Sequence, residues 1–142
     1  MKAKNKITVA AFIKEIWNEN RFDQIEKYLA DDFTDHSLPP PLPANKDGLI
    51  QWITVTGKSF NHQTLIEHMV AEDDKVMIKI TIQLEHIGPW RDIEPTGLKI
   101  SAVGYRFFLL SHNKITGHWA LIDGNAIENR LKQRISGCKV QE

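Results

Sequence analysis

Several things are scarce in this sequence of 142 residues, and each scarcity excludes something. There is one cysteine, Cys138, so no internal disulfide can form, and an unpaired thiol in a polar tail after Gly137 fits a reducing cytoplasm. Nothing near it in sequence activates the thiol, which reads as incidental. No run of eighteen apolar residues occurs, which excludes a transmembrane helix. The formal net charge is zero, so no basic field points to nucleic acid or an anionic membrane. The N-terminus is basic, but Glu15 and Glu19 soon interrupt it, as in a helix and unlike a signal peptide. Gly-rich phosphate loops and a nucleophile elbow are missing. Six histidines are present, none paired with another His or Cys at a zinc-motif spacing, so neither a metal nor another cofactor is expected.

The length suits one domain, residues 1–142 with a core of about 8–135, large enough to bury a sizeable interior. Val9, Phe12, Ile13, Ile16 and Trp17 follow helical spacing, with Thr8 at the N-cap position. Asn18-Glu19-Asn20 breaks the pattern, and Phe22, Ile25, Tyr28 and Leu29 resume it, which predicts a helical hairpin. A polar cluster from Asp31 to His36 leads to Pro39-Pro40-Pro41-Leu42-Pro43, a stiff extended segment that is either a surface connection or the rim of a cleft. Asn45 to Phe60 is predicted as a third helix. Four strands follow: 65–70, 76–85, 98–110 and 114–123. The second is the cleanest, with Val76, Ile78, Ile80, Ile82 and Leu84 alternating against Met77, Lys79, Thr81 and Gln83. Helices segregated from hairpin-connected strands define an α+β fold class.

The last strand organises the rest. It carries His118 and Trp119, has apolar residues on both parities, and stops at Asp123 before Gly124. Asp123 can cap a following helix or face a cavity as an acid/base. His118 has the opposite parity to Trp119 and Asp123, so a regular strand puts Asp123 with Trp119 and away from His118. His86 ends the alternating strand on its apolar parity, so its imidazole is expected inside with its nitrogens satisfied. His36 and His118 are further acid/base candidates. Tyr105, Phe107 and Leu109 share one parity of the third strand and Phe108 and Leu110 the other, which predicts a sheet needing a partner on its outer side.

Four places, in order, resemble the SnoaL-like polyketide cyclases of the nuclear transport factor 2-like superfamily. They are Phe33-Thr34-Asp35-His36, Glu85-His86-Ile87-Gly88, Pro95-Thr96-Gly97-Leu98-Lys99, and Ile115 through His118-Trp119 to Asp123 with a short helix to Leu131. The sequence departs from the usual pattern at Gly117 and in its proline-rich rim. The resemblance implies a cone: a strongly curved antiparallel sheet wrapped around N-terminal helices, enclosing one pocket, and homodimerisation through the sheet. It also implies ring closure by cofactor-free intramolecular aldol chemistry on a small hydrophobic polyketide-like carbonyl compound. Asp123 matches the acid/base position, and His86 and His36 match pocket-facing ones. Trp119, Trp90, Phe33 and Tyr105 would form aromatic walls for a flat ligand. Two other expectations stand beside this one: a binding or assembly module without chemistry, and a hydrolase or dehydratase using an Asp-His pair. A pocket where Asp123 and a histidine converge favours an enzyme; a plugged cavity with Asp123 capping the last helix favours the module.

Overall fold

The computed structural model describes residues 2–141, with side chains described for residues 2–133; Cys138 therefore lies outside the described side chains. Helix α1 runs Lys2–Phe12 and passes directly into a π-helical turn, Ile13–Asn18. The apolar stripe supports both: Val9, Phe12, Ile13, Ile16 and Trp17 are all buried. The helix begins before Thr8, which is no N-cap; its hydroxyl instead donates to Asn113 Oδ1 at 3.0 Å. At the end of the π turn, Asn18 acts as a strand surrogate. Its amide oxygen accepts from Thr64 N–H at 2.8 Å and its amide nitrogen donates to Thr64 C=O at 3.0 Å. That pair of bonds fixes Trp17 against the inner face of the sheet.

The second helix of the expected hairpin is only a 3₁₀ segment, Phe22–Lys27. Leu29 instead opens a strand, β1 (Leu29–Asp35), which the sequence reading had divided between helix and polar loop. Helix α2 follows at Lys46–Ser59, with Asn45 as its N-cap accepting from Gly48 N–H at 3.0 Å. Glycine is required at position 48, because a Cβ there would stand 1.7 Å from the Pro43 carbonyl oxygen. The proline segment thus packs directly onto the first turn of α2.

Strands β2 (Phe60–Glu72), β3 (Lys75–His86), β4 (Lys99–Ser111) and β5 (Lys114–Ile122) form an antiparallel meander. Tight turns make two of the three links, Asp73 joining β2 to β3 at φ 52° and His112 and Asn113 joining β4 to β5 at φ 49° and 65°, while residues 87–98 form an irregular loop between β3 and β4. Asn and Asp tolerate that left-handed backbone better than most residues. On β3 the expected inner parity is observed, with Val76, Ile78, Ile80, Ile82 and Leu84 all buried. Each such side chain contributes about 1.5–3 kcal/mol when withdrawn from water. Helix α3 closes the chain at Gly124–Gln141.

The sheet corrects the expected cone. Its strand order is β1-β5-β4-β3-β2, and β1 pairs with β5 in parallel, so the sheet is mixed, not antiparallel. It is not strongly curled around the helices. Two open edges remain, β1 and β2, and the helices pack on one face. The α+β class and the N-terminal helices are as expected; the curved, wrapped sheet is not. The missed strand accounts for the parallel pair. β1 keeps register with β5 at Leu29 and again at Thr34 and Asp35, with an irregularity between them that hides any period of two.

Candidate functional site

The inner face of the sheet meets the π turn and α2 around two adjoining cavities. The larger, of about 300 Å³, is walled by Trp17, Trp52, Phe60, His62, Trp90 and Arg106 among others. The smaller, of about 200 Å³, is walled by Asp35, Ser37, Leu38, Arg106, His118 and Ile122 with the same two tryptophans. Trp17, Trp52, Arg106 and Ile122 border both, so the cavities are lobes of one site.

Three buried polar side chains cross its floor. Asp35 comes from the end of β1, His118 from the middle of β5 and Arg106 from β4, and all three are at most 4% exposed. Asp35 pairs with His118 across the parallel ladder, and Arg106 lies two pairs along β4 from the Phe108–His118 pair. The Asp35 Oδ2 to His118 Nδ1 distance is 2.9 Å, and His118 Nε2 lies 3.2 Å from an Arg106 Nη1. A guanidinium only donates, so Nε2 must be the acceptor and the imidazole proton sits on Nδ1, donated to Asp35. Asp35 Oδ1 also accepts from Ser37 N–H at 2.9 Å.

The charge states follow from these contacts. Burial pushes His118 down, and Arg106 adds to this; the Asp35 hydrogen bond and charge oppose it without reversing it, so the imidazole is neutral at pH 7. Burial pushes the Asp35 carboxyl up, but the hydrogen bond from His118, the Ser37 N–H and the charge of Arg106 outweigh this and hold it below its ordinary value. Burial brings Arg106 down to about 10, which leaves it charged at neutral pH. Its guanidinium carbon stacks 4.2 Å over the Trp17 ring, and its Nε–H has no partner among the described residues. His62 packs edge-on against Trp17 and is lowered by burial and by Arg106.

Apart from His118, the residues singled out from the sequence fall elsewhere. Asp123 is exposed in the turn between β5 and α3, where its Oδ1 accepts from Ala126 N–H at 2.9 Å as an N-cap. It borders an open depression on the outer side of the sheet with Tyr105 and Leu121. His36 is also exposed and stacks flat on Trp119, 4.2 Å between centroids and 5° between planes, again outside. His86 is fully buried behind Phe60; its Nδ1 accepts from Thr96 N–H at 3.2 Å, while its Nε2 is unpartnered among the described residues. Phe33 is core. Of the expected aromatic walls, Trp90 alone lines either lobe. The expected opposition of His118 to Asp123 and Trp119 is observed, with the cavity on the His118 side. Thus Asp123 caps a helix, yet the cavity is not plugged.

Arg106 and Asp35 were passed over in sequence, although one signal was there. Arg106 occupies the parity of Phe108 and Leu110, which are buried, and a charge on a buried parity needs a partner. Asp35 was hidden in an acidic cluster whose strand register is irregular. Among the described residues no three His, Cys, Asp or Glu side chains are grouped closely enough to hold a metal ion.

A protein of mixed five-stranded sheet, N-terminal helices on one face and a polar-floored cavity between them has the nuclear transport factor 2-like fold. The sequence matches the model of the SnoaL-like polyketide cyclases over residues 7–131, and the chain belongs to that family. Among solved structures it is similar to a candidate polyketide cyclase from Acidithiobacillus ferrooxidans, with 23% identity, TM-score 0.82, and coverage of 92% of this chain and 95% of that one. AclR, a candidate hydroxylase from Streptomyces galilaeus, gives 22% identity, TM-score 0.80 and coverage of 94% and 98%. An epoxide hydrolase of the LEH-like type from M. tuberculosis gives 18% identity, TM-score 0.70 and coverage of 99% and 98%. At these identities the likeness is one of fold. A search of curated proteins gives no match.

The position of Asp123 makes a direct prediction. Asp123→Ala removes one cap acceptor and should lower stability by about 1 kcal/mol, while Asp123→Asn should be nearly neutral. Denaturant unfolding of both variants checks this; a stability gain in the alanine variant would contradict the cap.

Proposed function

We propose that this chain is a cofactor-free acid/base enzyme of the cyclase or isomerase type, acting on a small hydrophobic carbonyl compound. The observation that carries the reading is the buried Asp35–His118–Arg106 chain on the floor of an aromatic cavity. Aldol closure needs a base for the proton α to a carbonyl, and donors for the enolate oxygen that develops. His118 Nε2 is the base. Arg106 holds that lone pair when the cavity is empty, so a substrate carbonyl oxygen that draws the Arg106 N–H toward itself frees Nε2 for the α carbon. The proton passes to Nε2, and Asp35 stabilises the imidazolium through Nδ1–H. Arg106 holds the enolate oxygen. The enolate carbon attacks the second carbonyl, and the imidazolium returns its proton to the new alkoxide, which restores neutral His118.

This assignment moves the acid/base role from Asp123 to residues that share the cavity. It uses neither His36 nor His86. The hydrolase reading has no separate support beyond fold likeness, whereas a pure binding module gives no reason for an imidazole held neutral between a carboxylate and a guanidinium.

The first test uses an aromatic 1,3-diketone and follows deuterium exchange at its α carbon by NMR. His118→Gln should slow exchange by about two to four orders of magnitude, the usual range for a positioned base. The pH profile of kcat/KM carries the signs. The base must be deprotonated, so activity falls on the acid side below 6.5 as His118 gains a proton, because its folded value lies beneath that ordinary one. Arg106 must be protonated, so activity falls again near about 10. Wild-type exchange in the Gln variant, or an acid limb well above 6.5, would sink the proposal.

A second copy of the chain is the occupant this reading assigns to the outer face of the sheet. Tyr105, Val103, Trp119 and Leu121 are between 37% and 75% exposed there, a contiguous apolar surface on β4 and β5. Light scattering should give twice the chain mass, and Leu121→Lys should shift it toward the monomer. A concentration-independent monomer would contradict the dimer.

A further inference from the structure

Aldol closure develops negative charge on two oxygens in turn: first the enolate oxygen, then the alkoxide formed when the enolate carbon attacks the second carbonyl. Arg106 serves the first. The second oxygen belongs to the electrophile and needs a donor of its own. Asp35 and His118 line the smaller lobe, so the larger lobe is the room left for the electrophilic end. Most polar side chains of that lobe are already committed. Thr56 and Ser59 donate their hydroxyls to the backbone carbonyls of Trp52 and Pro89 at 2.8 and 2.9 Å. Arg91 is held by Asn125 and Glu128, and Arg106 donates to His118. His62 and Thr64 remain, both on the inner parity of β2 with Phe60, and His62 is the longer side chain and the less buried.

His62 packs edge-on against Trp17, with 6.2 Å between ring centroids, and the Arg106 guanidinium lies over the same indole. Imidazole and guanidinium therefore flank one aromatic ring. His62 also borders an open groove beyond the edge of β2. Among the described residues none hydrogen-bonds its ring nitrogens, and they are not sealed from solvent as Trp17 Nε1 and Arg106 Nε are. Burial, and then the charge of Arg106, lowers His62 beneath 6.5, so at pH 7 it is neutral with one N–H to donate. A neutral imidazole can polarise a carbonyl and stabilise the charge that develops on its oxygen without giving up its proton.

We infer that His62 is the donor to the second carbonyl oxygen of a dicarbonyl substrate that spans both lobes. The inference rests on the proposed function and adds the electrophile's site to it. A carbon–carbon bond forms between the enolate carbon and the second carbonyl carbon, and the π pair of that carbonyl moves onto its oxygen. His62 N–H holds the resulting alkoxide until the His118 imidazolium protonates it. The alkoxide oxygen is only two bonds from the former α carbon, so one imidazolium serves both positions.

The test compares two reactions of 1-phenylhexane-1,5-dione with the full chain: deuterium exchange at its methyl ketone, and closure with loss of water to 3-phenylcyclohex-2-enone. Exchange engages one carbonyl, whereas closure engages both. His62→Phe keeps a ring against Trp17 and removes the donor. It should lower kcat for closure about a hundredfold, the low end for loss of one oxyanion donor, with far smaller effects on KM and on exchange. His62→Gln restores an N–H and should recover much of the closure rate. If the Phe variant does not fold, His62→Leu removes the same donor and carries the same expectation. Wild-type closure without the donor, an equal fall in exchange and closure, or a wild-type chain that exchanges but does not close the ring would overturn the inference and leave the proposed function standing. Absence of exchange in the wild-type chain would remove the proposed function and this role of His62 with it.

Discussion

A guanidinium buried at 4% exposure must be stabilised, and the way Arg106 is stabilised determines much of the rest of the site. Full desolvation of a charge costs far more than any single hydrogen bond returns, so its partner has to be close and well oriented. Among the described residues no carboxylate forms an ion pair with Arg106 directly. The compensating charge arrives through His118, which accepts from Arg106 and donates to Asp35. The imidazole therefore has one tautomer and one charge state available, and the stacking of Arg106 on Trp17 restricts the guanidinium from the other side. Asp35 in turn depends on the parallel pairing of β1 with β5, which places residue 35 opposite residue 118. The edge strand and the site are thus the same feature seen at two scales.

The strands and helices with regular periodicity were legible from the sequence. The inner parity of β3, a helix close to the expected Asn45–Phe60 and four hairpin-connected strands all appear where periodicity and turn residues put them. β1 was not legible, because its apolar residues Leu29 and Phe33 are four apart, a helical spacing, and its pairing has an irregularity between Leu29 and Thr34. Losing that strand removed the parallel pair from the expected topology and with it Asp35 from the candidate site. The π turn has a similar effect at Trp17. A stripe at helical spacing correctly marked the residue as buried, but not that Asn18 pins it to β2 beside Arg106.

Parity on β5 was read correctly and interpreted on the wrong side. Trp119, Leu121 and Asp123 do oppose His118, but apolar residues on both parities do not make both faces buried. Leu121 is 75% exposed, so one of those faces is an outer surface. An apolar residue in a strand reports what the strand can bury and not which side of the sheet carries the helices. Only the position of α1, the π turn and α2 on the inner face decides that, and it is a tertiary fact. The strand-end carboxylate Asp123 then has the local role its sequence position already allowed, the cap of α3.

The central claim is that His118 is locked as a neutral imidazole, protonated on Nδ1, between Asp35 and Arg106. Nitrogen-15 NMR of the imidazole reports both points at once. The account predicts a pyrrole-type Nδ1 and a pyridine-type Nε2 at pH 7, with the midpoint of protonation below 6.5, since burial and Arg106 lower the folded value beneath the ordinary one. A proton on Nε2, or an imidazolium at pH 7, would break the hydrogen bond from Arg106 and contradict the account.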